Sequence, residues 1–155
     1  MPETAFGLPL HPLIVHGTVV IVPLAAVTVL LAVLWPRFRR WAGPLPAGLA
    51  VVGLVLVPLS TSSGENLERS VAETRLVERH AELGDQLLPV VAVLAVAAIG
   101  LWWAGRRERV ASSWPKAAVA VLVVLAVLGS IGAAVQVVRI GHSGAEAAWS
   151  DVGAS

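Results

Sequence analysis

Long uncharged apolar runs alternate with short polar links along this chain, and the pattern predicts a membrane protein made of helices. A transmembrane helix needs roughly 20 mostly apolar residues to cross a hydrocarbon layer about 30 Å thick. Four runs approach or exceed that length without a charged residue: 13–35, 45–61, 87–103 and 117–138. Because lipid offers the backbone no hydrogen-bond partners, each run is expected to be helical. We predict a single domain over residues 1–155, an all-α integral membrane four-helix bundle.

The polar stretch between the second and third runs has a different pattern. Leu67, Val71, Leu76 and Leu83 recur at roughly helical spacing, with Glu and Arg between them. Such an arrangement favours an amphipathic helix at about 65–82 that lies on the membrane surface. The alternative is a solvated charged loop.

Composition supports the lipid bilayer as the surroundings and excludes several functions. The chain is 57% hydrophobic with a mean hydropathy of +0.81, too apolar for a soluble domain of this size. A net charge of +1 offers no electrostatic basis for nucleic-acid binding. Cysteine is absent, and no Gly-x-Ser-x-Gly, P-loop or His-Glu-x-x-His motif occurs. No catalytic residues are therefore predicted. Residues 1–7 carry no Lys or Arg, so we expect the first run to be a retained span rather than a signal peptide.

Charges and tryptophans predict the orientation. The two short links are basic, opposed only by Glu108, and carry Arg37, Arg39, Arg40, Arg106, Arg107, Arg109 and Lys116. The positive-inside rule places these links in the cytoplasm. Five of the six tryptophans border the same side, as an aromatic belt does: Trp35, Trp41, Trp102, Trp103 and Trp114. We expect a protein of the bacterial cytoplasmic (inner) membrane with both termini extracytoplasmic.

This topology brings all four histidines to one extracytoplasmic layer. His11 and His16 open the first helix, His80 precedes the third, and His142 follows the fourth. Imidazole is a common ligand of transition metals and of haem iron. An ionisable side chain within a membrane usually marks function. The candidate cofactor-binding residues are therefore His16, His80, His142 and His11.

Three hypotheses remain open for this cluster. In the first, haem b is held between helices with His16 and His80 as axial ligands. In the second, Zn or Cu is bound by three or four imidazoles, with further ligands from Glu65, Glu68, Asp85 or Glu146. His11 and His16 are five residues apart, about 140° around an ideal helix, which disfavours their chelating one ion unless His11 precedes the first regular turn. In the third, the histidines are structural, in a subunit that packs beside a larger complex.

Three motifs resemble a bacterial membrane family known as domain of unknown function 2231. They are the His-Pro-x-x-Val-His opening at 11–16, the stretch 80–85 (His-Ala-Glu-Leu-Gly-Asp) and the stretch 141–145 (Gly-His-Ser-Gly-Ala). The resemblance covers essentially the whole chain in the same four-helix order. Members often continue the opening with Phe-Pro, where this chain has Gly17 and Thr18.

The resemblance implies redox work, because some family members look fused to Rieske or cytochrome c modules. The leading hypothesis is therefore a haem-binding or redox protein of the membrane. It would exchange electrons with an extracytoplasmic redox partner protein or with a quinone.

Overall fold

The computed structural model describes residues 4–5, 8–69, 71, 74–108 and 114–150, and this part of the chain is almost entirely helical. Arg109 and Asp151 lie outside the described residues. Two-residue strands β1 (Thr4–Ala5) and β2 (Leu8–Pro9) pair antiparallel before the first helix. The helices are α1 (Leu10–Leu34), α2 (Pro36–Ala42), α3 (Leu45–Glu68), α4 (Arg75–Asp85), α5 (Leu87–Glu108) and α6 (Lys116–Trp149). Within the described residues, four helical stretches are long and apolar enough to span a membrane, which confirms the all-α membrane class.

The four spanning helices form a bundle in which α1 and α5 occupy opposite corners. Each of these two packs against both α3 and α6, and they barely touch each other. Alanine, valine and leucine fill the core, among them Val22, Ala50, Leu94 and Ala133. A Cβ added to Gly129 would lie 3.2 Å from the backbone of Leu94, so α5 and α6 approach closely. Small residues allow such contacts between membrane helices, where packing rather than a hydrophobic driving force holds helices together.

The amphipathic helix between the second and third spans is shorter than predicted. Residues 65–68 complete α3, and α4 begins at Arg75 after Thr74, whose hydroxyl accepts a hydrogen bond from Val77 N at 3.3 Å. The α4 helix packs mainly on α6. Gln86 alone joins α4 to α5, and Pro89 lies in the first turn of α5, where its missing N–H costs no hydrogen bond.

Two helix ends differ from the predicted bounds in ways that affect the histidines. Helix α1 already begins at Leu10, so His11 belongs to its first turn. Helix α6 runs to Trp149 instead of ending at 138. With 34 residues at about 1.5 Å each it is about 51 Å long, which exceeds the hydrocarbon thickness of about 30 Å. Its last turns therefore project beyond the span and bring Ser143 against α4, while the side chain of His142 is exposed.

Candidate functional site

The start of α1 and the end of α3 meet in a polar contact that we call the first histidine unit (His11, Ser60, Ser63 and Gly64). The Nδ1 of His11 lies 3.1 Å from the carbonyl oxygen of Ser60 and 3.1 Å from the Oγ of Ser63. The imidazole lies against Gly64, where an added Cβ would come within 3.1 Å of the ring Cε1. Thr18 extends the contact, since its Oγ1 lies 2.6 Å from the Oγ of Ser60. The half-buried ring of His11 is thus held in one position.

A second contact of the same kind joins α4 to the end of α6, and we call it the second histidine unit (His80, Ser143 and Gly144). The Nδ1 of His80 lies 3.1 Å from the Oγ of Ser143. The half-buried ring lies against Gly144, where a Cβ would come within 3.0 Å of Cε1. One turn further along α4, the buried Gln136 of α6 donates its amide N–H to the carbonyl of Leu83 at 2.8 Å. Two hydrogen bonds therefore set the position of α4 on α6.

The serine hydroxyls determine which imidazole nitrogen carries the proton. Ser143 Oγ donates its only proton to the carbonyl of Ile140 at 2.9 Å, so it accepts from His80. Ser63 Oγ likewise donates to Ser60 O at 2.9 Å and accepts from His11. Both histidines therefore hold a proton on Nδ1, and in the neutral ring Nε2 has a free lone pair. Neutral imidazole with its second nitrogen hydrogen bonded is the usual state of a metal-ligating histidine.

The two histidine units lie at the same end of the bundle. A Cβ added to Gly84 of α4 would lie 4.0 Å from Cγ2 of Thr61 in α3, which places these helices side by side there. Two imidazoles from different helices thus lie at one end of the bundle, each with an unprotonated Nε2.

His16 and His142 are placed differently. Both side chains are exposed. The Nδ1 of His16 donates to the carbonyl of Pro12 at 2.6 Å, within its own helix. The Nε2 of His142 lies 3.2 Å from Oε1 of Glu146, one turn along α6. His11, and not the predicted ligand His16, lies against α3, because an offset of about 140° on α1 turns His16 to another side.

The predicted acidic ligands do not join the histidines in a larger cluster within the described residues. Glu146 pairs with His142, and Glu65 and Asp85 are exposed, while Glu68 is half-buried. Among the residues that the structure describes, no group of three or more His, Asp or Glu is able to hold a metal ion. Within that part of the chain, the predicted Zn or Cu ligands are thus not gathered in a set of three or four.

Sequence reasoning missed the serine and glycine partners of the histidines. The signal was present, because a Ser-Gly pair ends the second span and another ends the fourth, at 63–64 and 143–144. Thr18, where the family resemblance breaks off, turns out to be buried and bonded to α3. A histidine before a span, read together with a Ser-Gly pair at the end of the following span, predicts each unit.

Four apolar spans packed as a bundle define this chain as a polytopic integral membrane protein. The family model described as Predicted membrane protein (DUF2231) matches residues 7–154, and the chain belongs to this family. The resemblance read from the three motifs is thereby confirmed. Comparisons with curated proteins and with solved structures find no match.

Proposed function

We propose that this membrane protein holds a haem b between His11 and His80 and transfers electrons at that end of the bundle. One observation carries the proposal: two imidazoles on different helices at the same end of the bundle each donate Nδ1–H to a serine and keep Nε2 available. Haem iron requires one or two axial ligands from the protein. Hydrogen bonds from the outer nitrogen orient such ligands and raise their basicity.

The number of ligands favours haem over a bare ion. Zn sites use three or four protein ligands, and the described residues bring no such group together. His11 and His80 would hold the haem in place of the predicted pair His16 and His80, and the exposed His16 and His142 would not contact it. Bound haem would supply one-electron chemistry, and the protein would tune it through the serine hydrogen bonds and the partial burial of the rings. An extracytoplasmic protein or a quinone is the partner that suits a site at the end of the spans.

The test is haemin binding by the detergent-purified chain, followed by absorption spectra of the oxidised and reduced forms. We expect the spectrum of a haem with two histidine ligands. His11→Ala and His80→Ala should each lower haemin affinity at least tenfold. His142→Ala is the matched control, because this exposed side chain bonds only to Glu146, and its effect should stay within about twofold.

Thermal unfolding separates ligand binding from folding. A ligand at a hundredfold excess over its Kd stabilises the native state by about 2.7 kcal/mol. This gain should disappear in His11→Ala and His80→Ala while the ligand-free proteins still melt cooperatively. Loss of binding in His16→Ala or His142→Ala, with His11→Ala unaffected, would contradict the assignment of the pair. Elemental analysis could instead find one Zn or Cu per chain that is lost in His11→Ala and His80→Ala. That result would show that the site holds a metal ion and not haem.

A further inference from the structure

A cavity of about 220 Å³ lies at the other end of the bundle, between α1, α2, α3 and α5. We call this end, which carries Arg37, Arg39, Arg40 and Arg106, the arginine end. The cavity is larger than the roughly 150 Å³ void that admits benzene in an engineered protein core. It therefore has room for a chemical group rather than a single water molecule.

The lining of the cavity has two chemically distinct parts. Its wall is apolar, formed by Val29 and Ala32 of α1 and by Ala98 of α5. Its mouth carries Arg39 and Arg40. Among the side chains that the structure describes, neither guanidinium forms an ion pair or a hydrogen bond. Within the described side chains, two positive charges thus border an apolar recess without a counter-charge.

Trp102 completes the mouth. Its indole lines the cavity, and the guanidinium carbon of Arg106 lies 5.0 Å from the ring centroid. This cation–π contact holds the indole in place and brings a third positive charge to the same place. Tryptophan is typical of the boundary between hydrocarbon and headgroups. The mouth therefore lies at headgroup level and the apolar wall lies below it.

From this arrangement we infer that the cavity binds one anionic phospholipid, with its phosphate at Arg39 and Arg40 and the start of an acyl chain along Ala32 and Ala98. Guanidinium forms charge-assisted, bidentate hydrogen bonds with phosphate oxygens. Basic pockets between membrane helices bind anionic headgroups in this manner. A free phosphate ion would gain nothing from the apolar wall, and a neutral lipid would gain little from the arginines. This site is separate from the histidine units at the opposite end.

The experiment is native mass spectrometry of the full chain in neutral detergent, titrated with phosphatidylglycerol, with phosphatidylcholine or with inorganic phosphate. Wild type should retain one phosphatidylglycerol in preference to phosphatidylcholine. Because a basic residue near a membrane surface is worth about fivefold in affinity, Arg39→Gln/Arg40→Gln should weaken retention roughly 25-fold. Arg37→Gln is the control, since this exposed arginine of α2 lies outside the lining, and we expect it to weaken retention by at most about fivefold.

A second pair of variants tests the apolar wall without changing charge. Ala32→Leu fills the recess and should lower phosphatidylglycerol retention, whereas Ala120→Leu adds the same atoms on an exposed part of α6 and should not. Equal losses in Arg37→Gln and Arg39→Gln/Arg40→Gln would overturn the proposal in favour of general surface charge. Equal retention of phosphatidylcholine, or competition by inorganic phosphate at matched concentrations, would overturn it as well.

Discussion

The Nδ1 of His80 lies 3.1 Å from the Oγ of Ser143, the same distance that separates Nδ1 of His11 from Oγ of Ser63. In both cases the serine belongs to the end of a spanning helix, and its hydroxyl donates a hydrogen bond to the carbonyl three residues earlier. The same contact between a histidine and a serine thus occurs in both halves of the bundle.

Replacing either serine should weaken cofactor binding without unfolding the protein. Ser143→Ala removes the acceptor that orients the His80 imidazole, and loss of such a partner typically costs 10–100-fold in metal affinity. Ser63→Ala should cost less, because the carbonyl of Ser60 still accepts from Nδ1 of His11. Haemin titration of each variant measures the effect. Ser62→Ala is the control on α3, and wild-type affinity in Ser63→Ala and Ser143→Ala would show that the hydroxyls do not support a ligand.

The glycines beneath the rings should matter for binding more than for folding. Alanine at Gly64 or Gly144 places a Cβ within 3.1 or 3.0 Å of His Cε1, so the ring must shift by a few tenths of an ångström. We expect haemin affinity to fall roughly tenfold through the displaced ligand. Alanine also improves helix propensity by up to about 1 kcal/mol, which offsets the strain in thermal melts.

Two other glycines serve as controls for that experiment. An added Cβ meets nothing within 4 Å at Gly48 of α3 or at Gly141 of α6. Gly48→Ala and Gly141→Ala should therefore keep haemin affinity and leave stability equal or higher. Equal losses of haemin affinity in all four glycine variants would show that helix rigidity, and not the position of the imidazole, determines haemin affinity.

Gln136 should be important for the position of α4. Gln136→Leu keeps the volume but leaves the carbonyl of Leu83 without its buried partner, at a cost of about 1–2 kcal/mol. The free energy of unfolding in detergent should fall by that amount, and amide exchange in α4 should accelerate. Gln86→Leu, at an exposed side chain, is the control. Unchanged exchange in α4 would show that the contact with Ser143 is sufficient.

The orientation predicted from the basic links remains open to a direct test. A reporter that is active only in the cytoplasm should be inactive when fused after Ser155 and active when inserted between 109 and 113. A reporter that is active only outside should give the reverse pattern. Cytoplasmic activity at Ser155 would place the histidine units inside the cell and would require a cytoplasmic redox partner.

The sequence by itself determined the helical class, the four spans and the end of the bundle that holds the histidines. Length and hydropathy suffice for the spans, because a chain in lipid must satisfy its backbone within each helix. The periodicity of α4 also indicated which side packs, since its apolar and charged residues alternate at helical spacing. His80 follows Leu76 by one turn on that side and contacts Ser143 of α6.

Only the tertiary structure decided that His11, and not His16, takes the half-buried position at the start of α1. Helix α1 is apolar on every side, so its sequence carries no information about which side turns inward. Packing of α1 against α3 and α6 sets that rotation, and the first turn at Leu10 brings His11 to Ser60 and Ser63. The same packing determines the serine and glycine contacts, because they join residues that are about 50 to 60 positions apart in the chain.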